Sequence, residues 1–160
     1  MGWGRRKRLR ASEEQGAVAV EFALVMPLLL LLVFGIADFG WMMNRDMLID
    51  NASRDGVRVA SLGGTFSDVC TSVRNELNSS GVTAPATCNT TSTPTTITID
   101  CIKVDTTKCN ATSSTYNTLA ASGTTAVVTI TYKHSWITPL TSTFLGKTKT
   151  IIETTQMVVE

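Results

Sequence analysis

The sequence predicts an α+β fold in which one long N-terminal helix packs, by its second half, on a small antiparallel sheet. Three observations predict it. The run from Ala17 to Ala37 is apolar almost without a break, the helical pattern continues with no turn signal as far as Gly63 and Gly64, and residues 81–160 hold 24 Thr interleaved with Ile and Val. β-branched residues at that density favour strands. Against 14 Lys+Arg stand 13 Asp+Glu, so the 160 residues carry a net charge of only +1. That balance removes a whole-chain argument for nucleic-acid binding. The charge is unevenly placed, because Arg5, Arg6, Lys7, Arg8 and Arg10 oppose only Glu13 and Glu14 ahead of the apolar run.

The first element is the apolar run itself, AVAVEFALVMPLLLLLVFGIA at 17–37. As a helix it is roughly 32 Å long at about 1.5 Å per residue, enough to cross a hydrocarbon core of about 30 Å. A buried core helix is the competing explanation, but a helix apolar on every side needs a larger protein around it. The basic cluster upstream predicts a cytoplasmic N-terminus and an exported C-terminal part by the positive-inside rule. Contact with anionic lipid and control of topology are therefore better roles for Arg5 to Arg10 than nucleic-acid binding. Pro27 deprives the Ala23 carbonyl of its helical partner, so a bend is expected there.

Glu21 is the only charge in the run. A carboxylate at the centre of a spanning helix costs about 2.5–3.5 kcal/mol, and less toward the interface. Either Glu21 is tolerated at headgroup depth, or a positive charge meets it. Cutting after Gly16 would make Ala17 a new amino terminus about one helical turn away, on the same chain or on a neighbour. An ordinary secretory signal is the alternative, with Gly35 and Ala37 as a small-x-small site releasing a soluble protein that starts at Asp38. The run exceeds the usual apolar length of such a signal and contains Glu21 and Pro27.

After Asp38 the helix should become amphipathic, with Met43, Met47, Ala52, Val59 and Leu62 on one broad core-facing side, and should stop at Gly63 or Gly64. A second helix is expected over Ser67 to Ser79, with Thr65 or Ser67 as its cap and Gly81 beyond its end. Strands follow at Thr96 to Val104, Thr125 to Lys133 and Lys149 to Val159, where apolar residues alternate with Thr. The polar segment between the first two strands reads as a surface loop, mobile or tied by a disulfide. The resulting units are a leader at 1–16, a spanning helix at 17–37, its amphipathic continuation at 38–64 and an exported head at 65–160.

Cys70, Cys88, Cys101 and Cys109 all lie after the apolar run. An even number confined to the exported part reads as disulfides, and their spacing lacks the paired CxxC of a zinc site. Four cysteines allow three pairings; local closure, Cys70 with Cys88 and Cys101 with Cys109, is the simplest.

A basic leader, Gly16, four small apolar residues, then Glu21 and Phe22 ahead of an apolar helix resemble the class III signal of type IV pilins and pseudopilins, in particular the Flp (type IVb) subgroup. The whole chain resembles the TadE family of minor pseudopilin-like proteins of tight-adherence pilus systems. The resemblance is carried by GAVAVEFALVMPLLLLLVFGIADFG at 16–40, by NASRDGVRVA at 51–60, and by YKHSWITPL and FLGKTKTIIETTQMVVE in the ending from 132 to 160. It implies a pilin-like fold, cleavage by a prepilin peptidase between Gly16 and Ala17, and retention in the inner membrane with a periplasmic head. It also implies a non-catalytic part in assembly or adhesion, alongside other pilin or pseudopilin subunits and the pilus assembly machinery. Side-by-side packing of spanning helices would let Glu21 of one subunit meet the Ala17 amine of another.

No enzymatic constellation competes with this. His134 is the only histidine, and no nucleophile motif surrounds a serine, so a triad has no support. No phosphate loop, zinc spacing or calcium loop is present, and no cofactor or metal is expected. The Asn-x-Ser/Thr triplets at Asn51, Asn78, Asn89 and Asn110 are what so much Thr produces by chance. Trp136 is expected to anchor the entry to the last strand. The alternative function is a surface adhesin or ligand-binding head, anchored or secreted, for which the helix or signal only sets location.

Overall fold

The computed structural model describes residues 6–160, and side chains from Gly16 onward except those of Leu140 and Phe144. Arg5, and the side chains of Arg6, Lys7, Arg8 and Arg10, lie outside that description. Helix α1 runs from Arg6–Ser61 and passes through Pro27 as one continuous element. Its end is set by Gly63, which adopts φ +78°. The Gly64 N–H reaches the Val59 carbonyl and the Gly63 N–H the Ala60 carbonyl, the pair of bonds that closes a helix at a left-handed glycine. The helix therefore ends just before the glycine pair.

Helix α2, Phe66–Ser79, starts one residue earlier than expected. Thr65 caps it, and Asp68 returns the bond to the Thr65 backbone, satisfying two free N–H groups reciprocally. Strands β1 (Thr95–Ile102), β2 (Thr125–Ser135) and β3 (Thr148–Val158) form an antiparallel sheet in the order β1-β2-β3. Ile97, Ile99 and Cys101 lie opposite Ile130, Val128 and Ala126 in register. All six are fully buried, so one face of the sheet meets the helices, as the period-2 pattern requires.

The Met face of α1 requires correction. Met43 and Met47 are 56% and 58% exposed and Leu62 is 70% exposed, while the buried positions include Asp38, Ile49, Ala52, Ser53, Val57, Ala60 and Ser61. At 100° per residue, Ala52 stands about 180° around the helix from Met43, so the five expected positions never shared a face. Gly56 lies on the buried side, and a Cβ there would fall 2.2 Å from Val73 Cγ2. That glycine lets α1 sit tightly between α2 and β2.

The polar connections are packed, not loose. Asn89, at φ 58°, accepts from the Ile99 N–H and donates to the Ile99 and Ala111 carbonyls. Its side chain thus joins the edge of β1 to two loops. The segment before β2 contains a short helix α3, Tyr116–Leu119, whose buried Tyr116 stands edge-on to Phe66 at 6.0 Å. Disulfides join Cys70 to Cys88 and Cys101 to Cys109. A further helix that the sequence did not suggest, α4, covers Pro139–Leu145 in the connection from β2 to β3.

Candidate functional site

Two features of α1 dominate: a bare apolar half and the junction where it enters the head. Residues 16–33 are exposed throughout, and none of the apolar window of α1 is buried against the rest of the molecule. Val18, Phe22, Leu24 and Leu28 all present more than half of their surface. Glu21 projects from this half with no ion-pair partner among the described residues, where the one ion pair is Arg54 with Asp50. Ala17 is one helical turn from Glu21, and Phe22 follows on the exposed surface. The candidate processing and assembly residues therefore lie close together on the unpacked half of α1. An apolar surface of this kind requires lipid or other apolar helices around it.

The junction begins at Asp38, fully buried directly after the apolar run. Its Oδ1 accepts the Ile137 N–H at 3.0 Å, and its Oδ2 accepts the hydroxyls of Thr138 and Thr141. Burial alone would raise the Asp38 pKa, but the two hydroxyls and the Ile137 N–H together outweigh it and hold the carboxyl below its usual value. This clasp ties the β2–β3 connection, including the start of α4, to the helix at the level where the apolar run stops. Phe39 stands edge-on to Trp136 at 5.9 Å, reinforcing it. Trp136 is thus an anchor, as expected, although its partner is α1.

Above the clasp, Arg45 lies 4.5 Å over the Trp41 ring and donates to the Gly81 carbonyl at 2.9 Å. His134 is 1% exposed, edge-on to Trp136 at 5.4 Å, and neither ring nitrogen has a protein partner. Burial pushes its pKa below the usual histidine value; Asp38 opposes that shift and Arg45 adds to it. His134 is therefore a neutral packed residue. On the outer side of α1, burial and the nearby Asp46 and Asp50 carboxylates raise the Glu153 pKa, with Arg54 opposing.

Other places offer less chemistry. Asp100, Cys101 and Cys109 bring donor atoms together, but the two sulfurs are joined in a disulfide and Asp100 Oδ1 accepts the Cys101 and Ala111 N–H groups. A groove of about 390 Å³ beside β1 is lined by Asn89, Thr and Ser hydroxyls, with no acid, base or free thiol. Sequence reasoning missed the clasp. A single Asp after an apolar run has no periodicity to betray its burial, and its partners lie about a hundred residues away.

A head of α+β architecture carried on a helix whose first half is bare defines a class of membrane-anchorable proteins with one long N-terminal helix. Residues 16–58 match the family model described as TadE-like protein, in agreement with the resemblance noted from the residues. The match covers the bare half of α1, the clasp residue Asp38 and most of the packed half. No curated protein and no solved structure matches the chain.

Proposed function

We propose that this chain is a minor pseudopilin of a tight-adherence pilus system: a single-pass inner-membrane protein with a periplasmic head. In this reading the leader 1–16, with its basic cluster, remains cytoplasmic until a prepilin peptidase cuts between Gly16 and Ala17. The Ala17 amine then neutralises Glu21 of an adjacent subunit, and apolar helices pack side by side. The observation that carries the reading is Glu21, exposed and without an ion-pair partner among the described residues, on the unburied half of a helix whose other half is locked into the head. A carboxylate in that setting is stabilised only by a positive partner or by headgroup water. In this reading the head takes a non-catalytic part in assembly.

The test joins a mass measurement to one substitution. Protein recovered from cells should begin at Ala17 and remain in the membrane fraction. Glu21→Gln should insert normally yet abolish pilus assembly. A soluble form starting at Asp38 would establish a secreted protein, and an uncut chain that still works with Glu21→Gln would establish a plain anchored adhesin.

A further inference from the structure

We propose that the β2–β3 connection, residues 136–147, is a second membrane contact: an apolar tip that dips into the headgroup region of the same bilayer that α1 crosses. The proposal rests on the spanning reading of α1. It starts from topology. Strand β2 ends at Ser135, whose partner is Thr148 at the start of β3, so the connection is the end of the hairpin nearest the clasp. Ile137, Thr138 and Thr141 are bonded to Asp38, one residue beyond the apolar run. With residues 17–37 filling about 30 Å of hydrocarbon, Asp38 and everything bonded to it stand at the membrane boundary.

The exposed chemistry of this tip suits that depth. Ile137 is 62% and Leu145 53% exposed, with no protein surface covering them. Phe39 and Trp41 are half exposed on the adjoining turn of α1, where aromatic rings favour the interface. Lys133 and Lys149, on the strand ends that frame the connection, and Lys147, its last residue, are exposed, and lysines at that height reach phosphate groups while their stems lie on apolar surface. No acidic side chain occurs between residues 133 and 149. The occupant is therefore a phospholipid surface, anionic by preference. Gripped at both α1 and the tip, the head has a fixed tilt on the bilayer, where a helix alone would let it swivel.

The described cysteines are all bridged, so one added cysteine takes a nitroxide label selectively. The full chain, reconstituted in vesicles of phosphatidylethanolamine and phosphatidylglycerol, would be labelled in turn at Leu30→Cys, Ile137→Cys, Leu145→Cys and Val104→Cys. Val104 follows the opposite end of β1, since Ile102 pairs with Thr125. Depth is read from the relative access of oxygen and a water-soluble nickel complex. Expected are Leu30 deep in the hydrocarbon, Ile137 and Leu145 within about 5–10 Å of the phosphate plane, and Val104 in water. A Lys147→Glu, Lys149→Glu variant should shift the tip labels toward water. Tip labels as aqueous as Val104, with Leu30 still deep, overturn the proposal and leave the spanning reading intact. An aqueous Leu30 overturns both. Protection of the tip that grows with the number of chains per vesicle assigns the surface to a second copy and also overturns the proposal.

Discussion

Replacing Gly56 with Ala tests the tightest contact in the head. In an exposed helix interior this change would stabilise by about 0.8–1 kcal/mol, because glycine gives up more backbone freedom on folding. Here the new methyl would stand 2.2 Å from Val73 Cγ2, with the two Val128 methyl carbons at 3.6 and 3.7 Å. More than 1 Å must be recovered at Val73 alone. Val73 has little means of giving way: it is fully buried, it is β-branched in a helix and so confined to one rotamer, and α2 is fastened at Cys70 and at its capped first turn. Overpacking of this kind costs about 1–3 kcal/mol; with Val73 unable to yield, the cost falls in the upper part of that range and Gly56→Ala should lose up to about 2 kcal/mol net. For a head of this size that lowers Tm by roughly 4–8 °C per kcal/mol.

The assay is thermal unfolding of the full chain in detergent, with Gly40→Ala as control, since nothing lies within 4 Å of a Cβ at Gly40. The control should not lose stability. Trimming the obstruction with Val73→Ala in the Gly56→Ala background should recover part of the loss, giving a favourable coupling above about 0.5 kcal/mol in the double-mutant cycle. A Gly56→Ala protein as stable as the parent, with no coupling to Val73, would refute the close packing of α1 against α2.

Asp38→Ala should release the β2–β3 connection, leaving three donors without their acceptor at about 2–4 kcal/mol. Hydrogen exchange at the Ile137 amide should accelerate sharply while β1 stays protected. The buried His134 predicts an acid limb of stability. Because its folded pKa is depressed, the unfolded chain takes the proton first as pH falls below about 6.5. Stability is then lost until the folded pKa is reached, and His134→Gln should flatten that part of a stability-against-pH curve. Asp38, also depressed, contributes fully above its unfolded value of about 3.9 and should show as a separate loss as pH falls from there toward its folded pKa. Removing Cys70–Cys88, whose partners are 18 residues apart, should cost about 0.7 kcal/mol more than removing Cys101–Cys109, 8 apart, by loop-closure entropy; paired Cys→Ser variants in urea check it.

The parts of the fold that were legible are those with a repeating signal. The strands kept their expected positions within two residues because Ile and Val alternate with Thr across each of them, and alternation survives any tertiary context that leaves one sheet face buried. Thr65 and the glycines at 63 and 64 announced the ends of two helices through the local chemistry of caps, while the answering bond from Asp68 emerged only in the structure. Non-periodic features stayed hidden. Tyr116 is buried by α3 in a stretch that composition alone marks as polar loop, and Asn89 organises three strands of chain through one amide. The misplaced Met face had another cause: a helix with apolar residues on two sides offers two candidate stripes, and which one is covered depends on where the sheet docks. The candidate site divides in the same way. Gly16, Glu21 and Phe22 stand out in the sequence as candidates because they interrupt or border a uniform run, whereas Asp38 acquires its meaning only from Ile137, Thr138 and Thr141.

The two halves of α1 answer to different solvents, and this separates the consequences of changing them. Residues 17–33 bury nothing within the chain, so their side chains contribute to folding of the head only through helix continuity, and their free energy is settled by whatever surrounds them. Ile49, Ala52, Val57 and Ala60 belong to the core, so changes to these side chains act directly on the stability of the head. Because no break separates the halves, a neighbour that rotates or lifts the first half moves the second with it, and with it the sheet. Asp38 is placed where such a motion must either be transmitted to the β2–β3 connection or break its bonds. A substitution at Glu21 should therefore alter assembly with the head's melting unchanged, whereas Gly56→Ala should alter melting first.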